Sequence, residues 1–111
     1  MAAVVYLDVD QGSDFSAQIT LQNDNGTPMN LTGFTAFSQF RKHPTSSTYY
    51  QFQPTITAPL TGVINLTLSA AASSLVKPGR YMYDVEITNG ATRLRVSEGI
   101  VTINAEITKS S

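Results

Sequence analysis

Residues 79–88 show the clearest alternation of apolar and polar positions in the chain. The apolar positions are two residues apart and are occupied by Tyr81, Tyr83, Val85 and Ile87. A period of two predicts a half-buried β-strand with one apolar face. The preceding Pro78-Gly79 pair predicts a turn. We therefore expect Tyr81 to bury its ring just past this corner and to donate its hydroxyl to the backbone upstream.

Shorter runs, separated by turn signals, predict the other strands. They cover residues 4–9, 15–21, 34–41, 49–53, 63–68 and 91–103. Aromatic residues on both parities of 34–41 favour a central strand covered partly on both faces, or a local bulge. Pro54, directly after 49–53, favours a sheet edge or an interruption there. Residues 42–48 lose the pattern and are predicted to form a surface loop.

Three local signals predict how the strands connect. Asn89-Gly90 favours a two-residue hairpin with a type I′ turn. The apolar parity changes from even to odd within 91–103, so one extra residue near 97–99 is expected as a β-bulge. Residues 69–75 carry a helical signal, with Ser69 as N-cap, and predict one or two helical turns.

Together these elements predict an all-β fold, an immunoglobulin-like antiparallel β-sandwich of seven or eight strands with one short helical turn. At 111 residues the chain is the size of one domain, residues 1–111, and it has no internal repeat. Residues 104–111 are polar apart from Ile107 and are expected to be a frayed tail or a last strand that pairs elsewhere.

Composition narrows the classes of function. Charged residues make up 14% of the chain, the net charge is −1 and only seven residues are Lys or Arg, so we expect no nucleic-acid-binding face. The chain has no cysteine, which excludes disulfides and thiolate metal sites. We expect neither a secretory signal nor a membrane span. A neutral, Thr-rich surface suits a protein packed against copies or partners, or it reflects β-propensity alone.

Candidate chemistry is sparse. His43 is the one histidine and lies in a polar stretch without a partner for catalysis, so we expect an exposed loop residue. Asp8, Asp10 and Asp14 are the densest acidic group, but their spacing matches no calcium loop. The alternative is that Asp14 caps or tightens the adjacent turn and that the other two face water. We expect no metal, no cofactor and no enzymatic activity.

Charged residues of opposite sign occupy the two arms of the predicted hairpin. Asp84 and Glu86 share one face of the first arm, and Arg93 and Arg95 lie on the second. Such pairs across two strands contribute about 0.2–1 kcal/mol each, so we interpret them as fixing the register. A glycosidase would need two carboxyl groups facing each other across a cleft, which neighbours on one strand do not supply.

The best candidate for partner binding is the aromatic stretch Tyr49, Tyr50 and Phe52. Aromatic side chains on both parities of a short edge strand cannot all face the core, and Tyr and Phe are enriched at interfaces. Protein or carbohydrate could stack on them. The alternative is that one parity packs inward and the other is covered by the loop around His43. Asn25, in the turn at residues 23–28, is a further candidate contact.

Three segments taken in order resemble a known family. They are Gln11-Gly12-Ser13-Asp14-Phe15, then Asn30-Leu31-Thr32-Gly33 leading to Arg41-Lys42, then residues 62–68 followed by Pro78-Gly79-Arg80-Tyr81-Met82-Tyr83-Asp84-Val85. This order is similar to that of the small immunoglobulin-like domains of tailed-phage virion structural proteins. These include the N-terminal domain of the phage baseplate upper protein and cyanophage-like structural proteins.

The resemblance covers nearly the whole chain and implies a non-enzymatic bacteriophage virion structural protein. It would act as a decoration, cement or baseplate or neck adaptor subunit through protein–protein contacts. Its partners would be other virion proteins and copies of itself, without nucleic acid or membrane, and it would be assembled into virions in the bacterial host cytoplasm. Nothing follows residue 111, so we expect no appended receptor-binding domain. The alternative function is a carbohydrate- or receptor-binding adhesion module.

Overall fold

A computed structural model describes residues 3–107 of the chain. In chain order, its elements are β1 (Ala3–Val4), β2 (Leu7–Asp10), β3 (Phe15–Thr20), β4 (Thr35–Arg41), β5 (Tyr50–Gln51), β6 (Gln53–Thr55), a 3₁₀ turn (Pro59–Thr61), β7 (Val63–Leu68), α1 (Ala70–Ser73), β8 (Gly79–Thr88) and β9 (Arg93–Asn104). No helix within residues 3–107 has the length and hydrophobicity needed to cross a bilayer.

The strands form two sheets that face each other. The large sheet has the order β1-β9-β8-β4-β5, with β2 also paired to β9, and the small sheet has the order β3-β7-β6. This confirms the predicted immunoglobulin-like sandwich. The described residues form nine strands rather than seven or eight, because the predicted runs 4–9 and 49–53 are each interrupted, and a 3₁₀ turn accompanies the predicted helical turn. The N-terminal segments β1 and β2 pair in parallel with β9 of the same domain, and all other pairs are antiparallel.

Alternation along β8 places one side of the strand in the core, as predicted. Tyr81 and Tyr83 are each 4% exposed, and Val85 and Ile87 are fully buried. The Tyr81 hydroxyl donates a hydrogen bond to the carbonyl oxygen of Lys77 at 2.7 Å. The predicted tyrosine corner is therefore confirmed. It gives the buried hydroxyl a partner and anchors the start of β8.

The connection between β8 and β9 differs from the prediction. Thr88 pairs with Arg93, so the loop has four residues, 89–92, rather than two. The described chain has no non-glycine residue with positive φ, whereas a type I′ turn requires positive φ at both central positions. Instead, the Asn89 side-chain oxygen accepts hydrogen bonds from the backbone N–H groups of Ala91 and Thr92. The type I′ prediction was wrong because this side chain organises a wider loop.

The β-bulge predicted near 97–99 is present, one residue earlier. Val85 pairs with Ser97 whereas Glu86 pairs with Arg95, so Val96 is the extra residue. Val96 and Ser97 are both buried, which brings the two apolar parities of β9 onto the inner side of the sheet. The bulge therefore explains why the apolar positions in this part of the sequence change from even to odd numbers.

The helical turn α1 lies beside the turn between β2 and β3, where the Ser73 hydroxyl donates to the Ser13 carbonyl oxygen. The Ser69 side chain accepts a hydrogen bond from the Ala72 N–H, as expected of an N-cap. The Asp14 carboxylate accepts a second one from the Ala70 N–H at 2.7 Å. Asp14 thus caps α1, and Asp8 and Asp10 are exposed. The alternative interpretation is therefore confirmed for the exposure of Asp8 and Asp10. Asp14, however, caps a helix that is distant in sequence and not the adjacent turn.

The C-terminal segment is held at its start. Asn104 is the last residue of β9, and the Glu106 N–H donates to the side-chain oxygen of Gln11. Residues 108–111 of the predicted tail lie outside the described residues.

Candidate functional site

The aromatic stretch predicted to bind partners divides between core and surface. Phe52 is 2% exposed, and its ring centroid lies 4.8 Å from that of Phe40 and 5.5 Å from that of Phe15. Tyr50 is half-buried and stacks on Phe40 at 5.3 Å. The chain passes from the large sheet to the small sheet at Phe52, so this side chain fills the space between them. Its burial removes Phe52 from any surface contact.

Tyr49 lies on the opposite parity and is 46% exposed. The Arg41 guanidinium lies over its ring, 4.8 Å from the centroid. Arg41 also donates a hydrogen bond to the Ser46 carbonyl oxygen at 2.7 Å, which ties the loop after β4 to this region. One parity thus packs inward, as the alternative expected. The side chain that lies over Tyr49 comes from the end of β4, however, and not from the loop around His43. A contact role for Tyr49 or Tyr50 stays a prediction.

Asn25 has a local structural partner. Its side-chain oxygen accepts hydrogen bonds from the N–H and the hydroxyl of Thr27, which stabilises the exposed turn at residues 23–28. Asn25 remains solvent-accessible, and its predicted role in partner binding stays a prediction.

The structure draws attention to a surface that sequence reasoning did not single out: the solvent side of β4, β8 and β9, which we call the outer face. It contains a shallow depression of about 670 Å³. Four large apolar side chains around it are substantially exposed: Val4, Tyr6, Phe37 and Met82. Exposed apolar side chains grouped on one surface are typical of protein-interaction sites, whereas single ones are ordinary.

Strand parity explains why these apolar residues face solvent. Met82 alternates with the buried tyrosines of β8, and Phe37 lies on the side of β4 opposite Phe40. Tyr6 lies between β1 and β2, where the N-terminal strand is interrupted, and is 74% exposed. The signal for the outer face was present in the sequence as apolar residues on the outward parity of two central strands.

Ion pairs cross the outer face in the arrangement predicted from the sequence. Arg93 contacts Glu86 at 2.7 Å and Arg95 contacts Asp84 at 3.2 Å, joining β9 to β8. Arg95 also contacts Glu98 at 3.4 Å. Exposed pairs of this kind contribute about 0–1 kcal/mol each, so their main effects are on register and on partner selection. The outer face therefore combines apolar side chains with fixed charges of both signs.

Asp84 is the titratable group of the outer face whose protonation the fold alters. Burial raises the pKa of its carboxyl above the ordinary value of 3.8. Glu86 and Glu98 raise this pKa further, while Arg95 opposes them. The folded protein therefore retains the Asp84 proton at pH values where the unfolded chain has released it.

This shift predicts a pH dependence of stability. The stabilisation linked to the Asp84 proton is complete below the ordinary pKa of 3.8 and is lost as the pH rises through the folded pKa. As the pH rises from the ordinary pKa of 3.8, Asp84→Asn should remove this decline in the free energy of unfolding, as measured by urea denaturation. Asp24→Asn, in the exposed turn, is the control for the loss of a carboxylate outside the outer face. Parallel profiles for wild type and Asp84→Asn would contradict the assignment.

Within residues 3–107, no group of three or more His, Cys, Asp or Glu side chains is placed to hold a metal ion. His43 is exposed in the loop after β4, as predicted.

Comparison with known proteins reveals similarity at the level of fold. No protein-family model and no curated protein sequence matches the chain. The N-terminal domain of ORF48 of phage TP901-1 is similar in structure, with a TM-score of 0.55 and 14% identity over 90% of this chain and 85% of that one. The Lin-41 filamin domain has a TM-score of 0.51 and 16% identity over 87% of this chain and 82% of that one. At such identities, these likenesses show that the chain has the immunoglobulin-like sandwich fold.

Proposed function

We propose that this chain is a non-enzymatic structural protein of bacteriophage virions, a decoration, cement or adaptor subunit that docks on another virion protein through its outer face. The proposal assigns the protein passive binding and no reaction. The observation that carries it is the group of exposed apolar side chains on the outer face, in particular Tyr6 and Phe37. The fold similarity to a phage domain supports the choice of partner class.

The composition of the outer face fits a protein partner. Aromatic and Met side chains are enriched at protein interfaces, and here they surround a shallow depression rather than an enclosed pocket. The pairs Arg93–Glu86 and Arg95–Asp84 are already formed in the free chain. A partner would therefore meet charged groups with fixed positions, which favours specificity more than affinity.

Particle association is the first test. Phage particles from a lysate in which the phage encodes this chain would be purified by density gradient and examined by quantitative mass spectrometry. We expect the chain in a constant ratio to the major capsid protein, and cryo-electron microscopy with a bound Fab should locate it on the particle. Recovery of the chain only in the soluble fraction would refute the virion assignment.

The outer face is tested by a matched pair of variants. Phe37→Asp places a charge on the face, whereas Leu75→Asp places the same charge on a residue that is 78% exposed outside it. We expect Phe37→Asp to reduce incorporation into particles by at least about tenfold, the effect of losing one interface anchor. Leu75→Asp should be incorporated normally, and both variants should remain folded by far-UV circular dichroism. Equal incorporation of the two variants would argue against the outer face.

The carbohydrate-binding alternative has less support. It depended on a stacking platform of three aromatic rings, and Phe52 is in the core while Tyr50 packs on Phe40. Tyr49 keeps an exposed ring, partly covered by Arg41. Glycan binding that is lost in Tyr49→Ala while particle assembly is intact would favour this alternative over the proposed function.

A further inference from the structure

Strand β3 forms one border of the small sheet. It pairs with β7 over its whole length, from Phe15 to Thr20, and no other strand of the described residues pairs with its second side. A border strand of this length presents a row of backbone donors and acceptors to solvent, which is a template for pairing with another strand.

The other sheet borders carry features that discourage such pairing. Strand β6 contains Pro54, which lacks a backbone donor. Strand β2 exposes Asp8 and Asp10, and β5 is only two residues long. Strand β3 has the sequence FSAQIT, without charge, proline or bulge. Natural proteins protect border strands with those devices. Strand β1 is only two residues long, and β5 leaves just the first residues of β4 uncovered, so β3 is the longest open border within the described residues.

The backbone groups that face the open side can be identified. The Leu21 N–H donates to the Gly62 carbonyl oxygen at 2.8 Å, which continues the β3–β7 ladder beyond Thr20. In an antiparallel pair, hydrogen-bonded positions alternate along each strand. The odd residues of β3 therefore bond to β7, and the backbone groups of Ser16, Gln18 and Thr20 point to the open side. We call these three residues the open edge.

We propose that the open edge pairs antiparallel with the open edge of a second copy of this chain, about a two-fold axis at Gln18. Gln18 would lie opposite Gln18 of the second copy, and Ser16 opposite Thr20. This register uses all three residues of each open edge and forms about six backbone hydrogen bonds. A shift by one residue would place odd residues, whose backbone groups already bond to β7, opposite the open edge.

Charge is the reason for choosing a second copy as the partner. Two-fold symmetry places a strand beside the same strand of the second copy. A charged residue at the axis would therefore lie opposite the same charge in that copy. The open edge is uncharged, and Asp14, just before β3, would lie near residue 22 of the other copy rather than near its own equivalent. A pairing of β2 with itself would instead bring together the exposed Asp8 and Asp10. This dimer does not depend on the virion assignment.

Disulfide trapping tests the register. The chain has no cysteine, so Gln18→Cys introduces a single thiol. Opposed residues of a hydrogen-bonded pair lie about 5.5 Å apart at Cα, within the range that a disulfide spans. We expect Gln18→Cys to oxidise to a covalent dimer and Thr20→Cys alone to form no covalent dimer. An equal mixture of Ser16→Cys and Thr20→Cys should form a mixed covalent dimer. Absence of the Gln18→Cys dimer, or equal crosslinking of Thr20→Cys alone, would overturn the register.

Sedimentation equilibrium tests the dimer in the uncrosslinked protein. We expect the wild-type mass to rise with concentration from 12.0 kDa to twice that value and no further, because a two-fold pairing closes. Gln18→Lys should raise the dissociation constant at least tenfold and recover partly in high salt, since the two lysines would repel across the axis. Asn65→Lys is the control. Asn65 lies on β7 opposite Gln18 of β3, so it is one strand away from the border. A monomeric wild type, larger assemblies or equal effects of the two substitutions would refute the proposal.

Discussion

Replacing Phe52 with alanine should lower the free energy of unfolding by about 3–5 kcal/mol. The side chain is 2% exposed, and its ring contacts rings from both sheets: Phe15 of the small sheet, and Phe40 and Tyr83 of the large one. Its removal would leave a cavity where the two layers meet, and the rigid strands on either side could close it only partly. Urea denaturation followed by far-UV circular dichroism would measure the loss.

Tyr49→Ala is the control for this prediction. Tyr49 lies three residues away in the same stretch, but its side chain is 46% exposed. The Arg41 guanidinium packs over its ring. We expect a change of less than about 1 kcal/mol, typical of a surface substitution. If the two substitutions cost the same, the division of the stretch into a buried and an exposed parity would be wrong.

The fold could be predicted where a pattern is local. In an extended strand, the side to which each residue points depends only on its parity, so the alternation from Tyr81 to Ile87 was sufficient to identify the inner side of β8. The Ser69 cap and the Tyr81 corner were also predictable because each joins groups no more than four residues apart.

Longer-range relations decided the features that the sequence left open. A strand of two residues such as β5 has no periodicity from which to assign an inner side, so Phe52 could not be placed without knowing that Phe15 and Phe40 lie across the core. The loop after β8 is an exception, because a local contact decided it. The Asn89 side chain bonds to the backbone N–H groups of Ala91 and Thr92 and stabilises a wider loop than the type I′ turn that Asn89-Gly90 favours.

The outer face was hidden for a different reason. The sequence shows that Phe37 and Met82 lie on the outward parity of their strands, but it does not show whether another layer covers that side. In the structure no second layer of the described residues covers them, and they are 48% and 44% exposed. An apolar residue on the outward parity is buried if another layer packs on that side of the sheet and is exposed if none does. Parity alone does not show which of the two holds.

Gly99→Val should have the second large effect, through the N-terminal strand. A Cβ at Gly99 would collide with the carbonyl oxygen of Val5, in the interruption between β1 and β2. That oxygen accepts a hydrogen bond from the Tyr83 hydroxyl at 2.7 Å, and the Val5 N–H donates to Glu98 at 2.9 Å. Displacing Val5 would break both bonds and remove the carbonyl acceptor of the buried Tyr83 hydroxyl. Overpacking and the lost hydrogen bond together should reduce the free energy of unfolding by about 2–5 kcal/mol.

Gly90→Val is the control that separates the collision with Val5 from the general cost of replacing a glycine by valine. Gly90 has φ of 93°, so valine is strained there too, but a Cβ at Gly90 meets no atom within 4 Å. We expect the loss in Gly99→Val to exceed that in Gly90→Val by at least about 1 kcal/mol. Hydrogen exchange should also quicken at the Val5 amide in Gly99→Val alone. Unchanged exchange at Val5 would mean that Gly99 does not position the N-terminal strand, since β9 is the strand with which β1 and β2 pair.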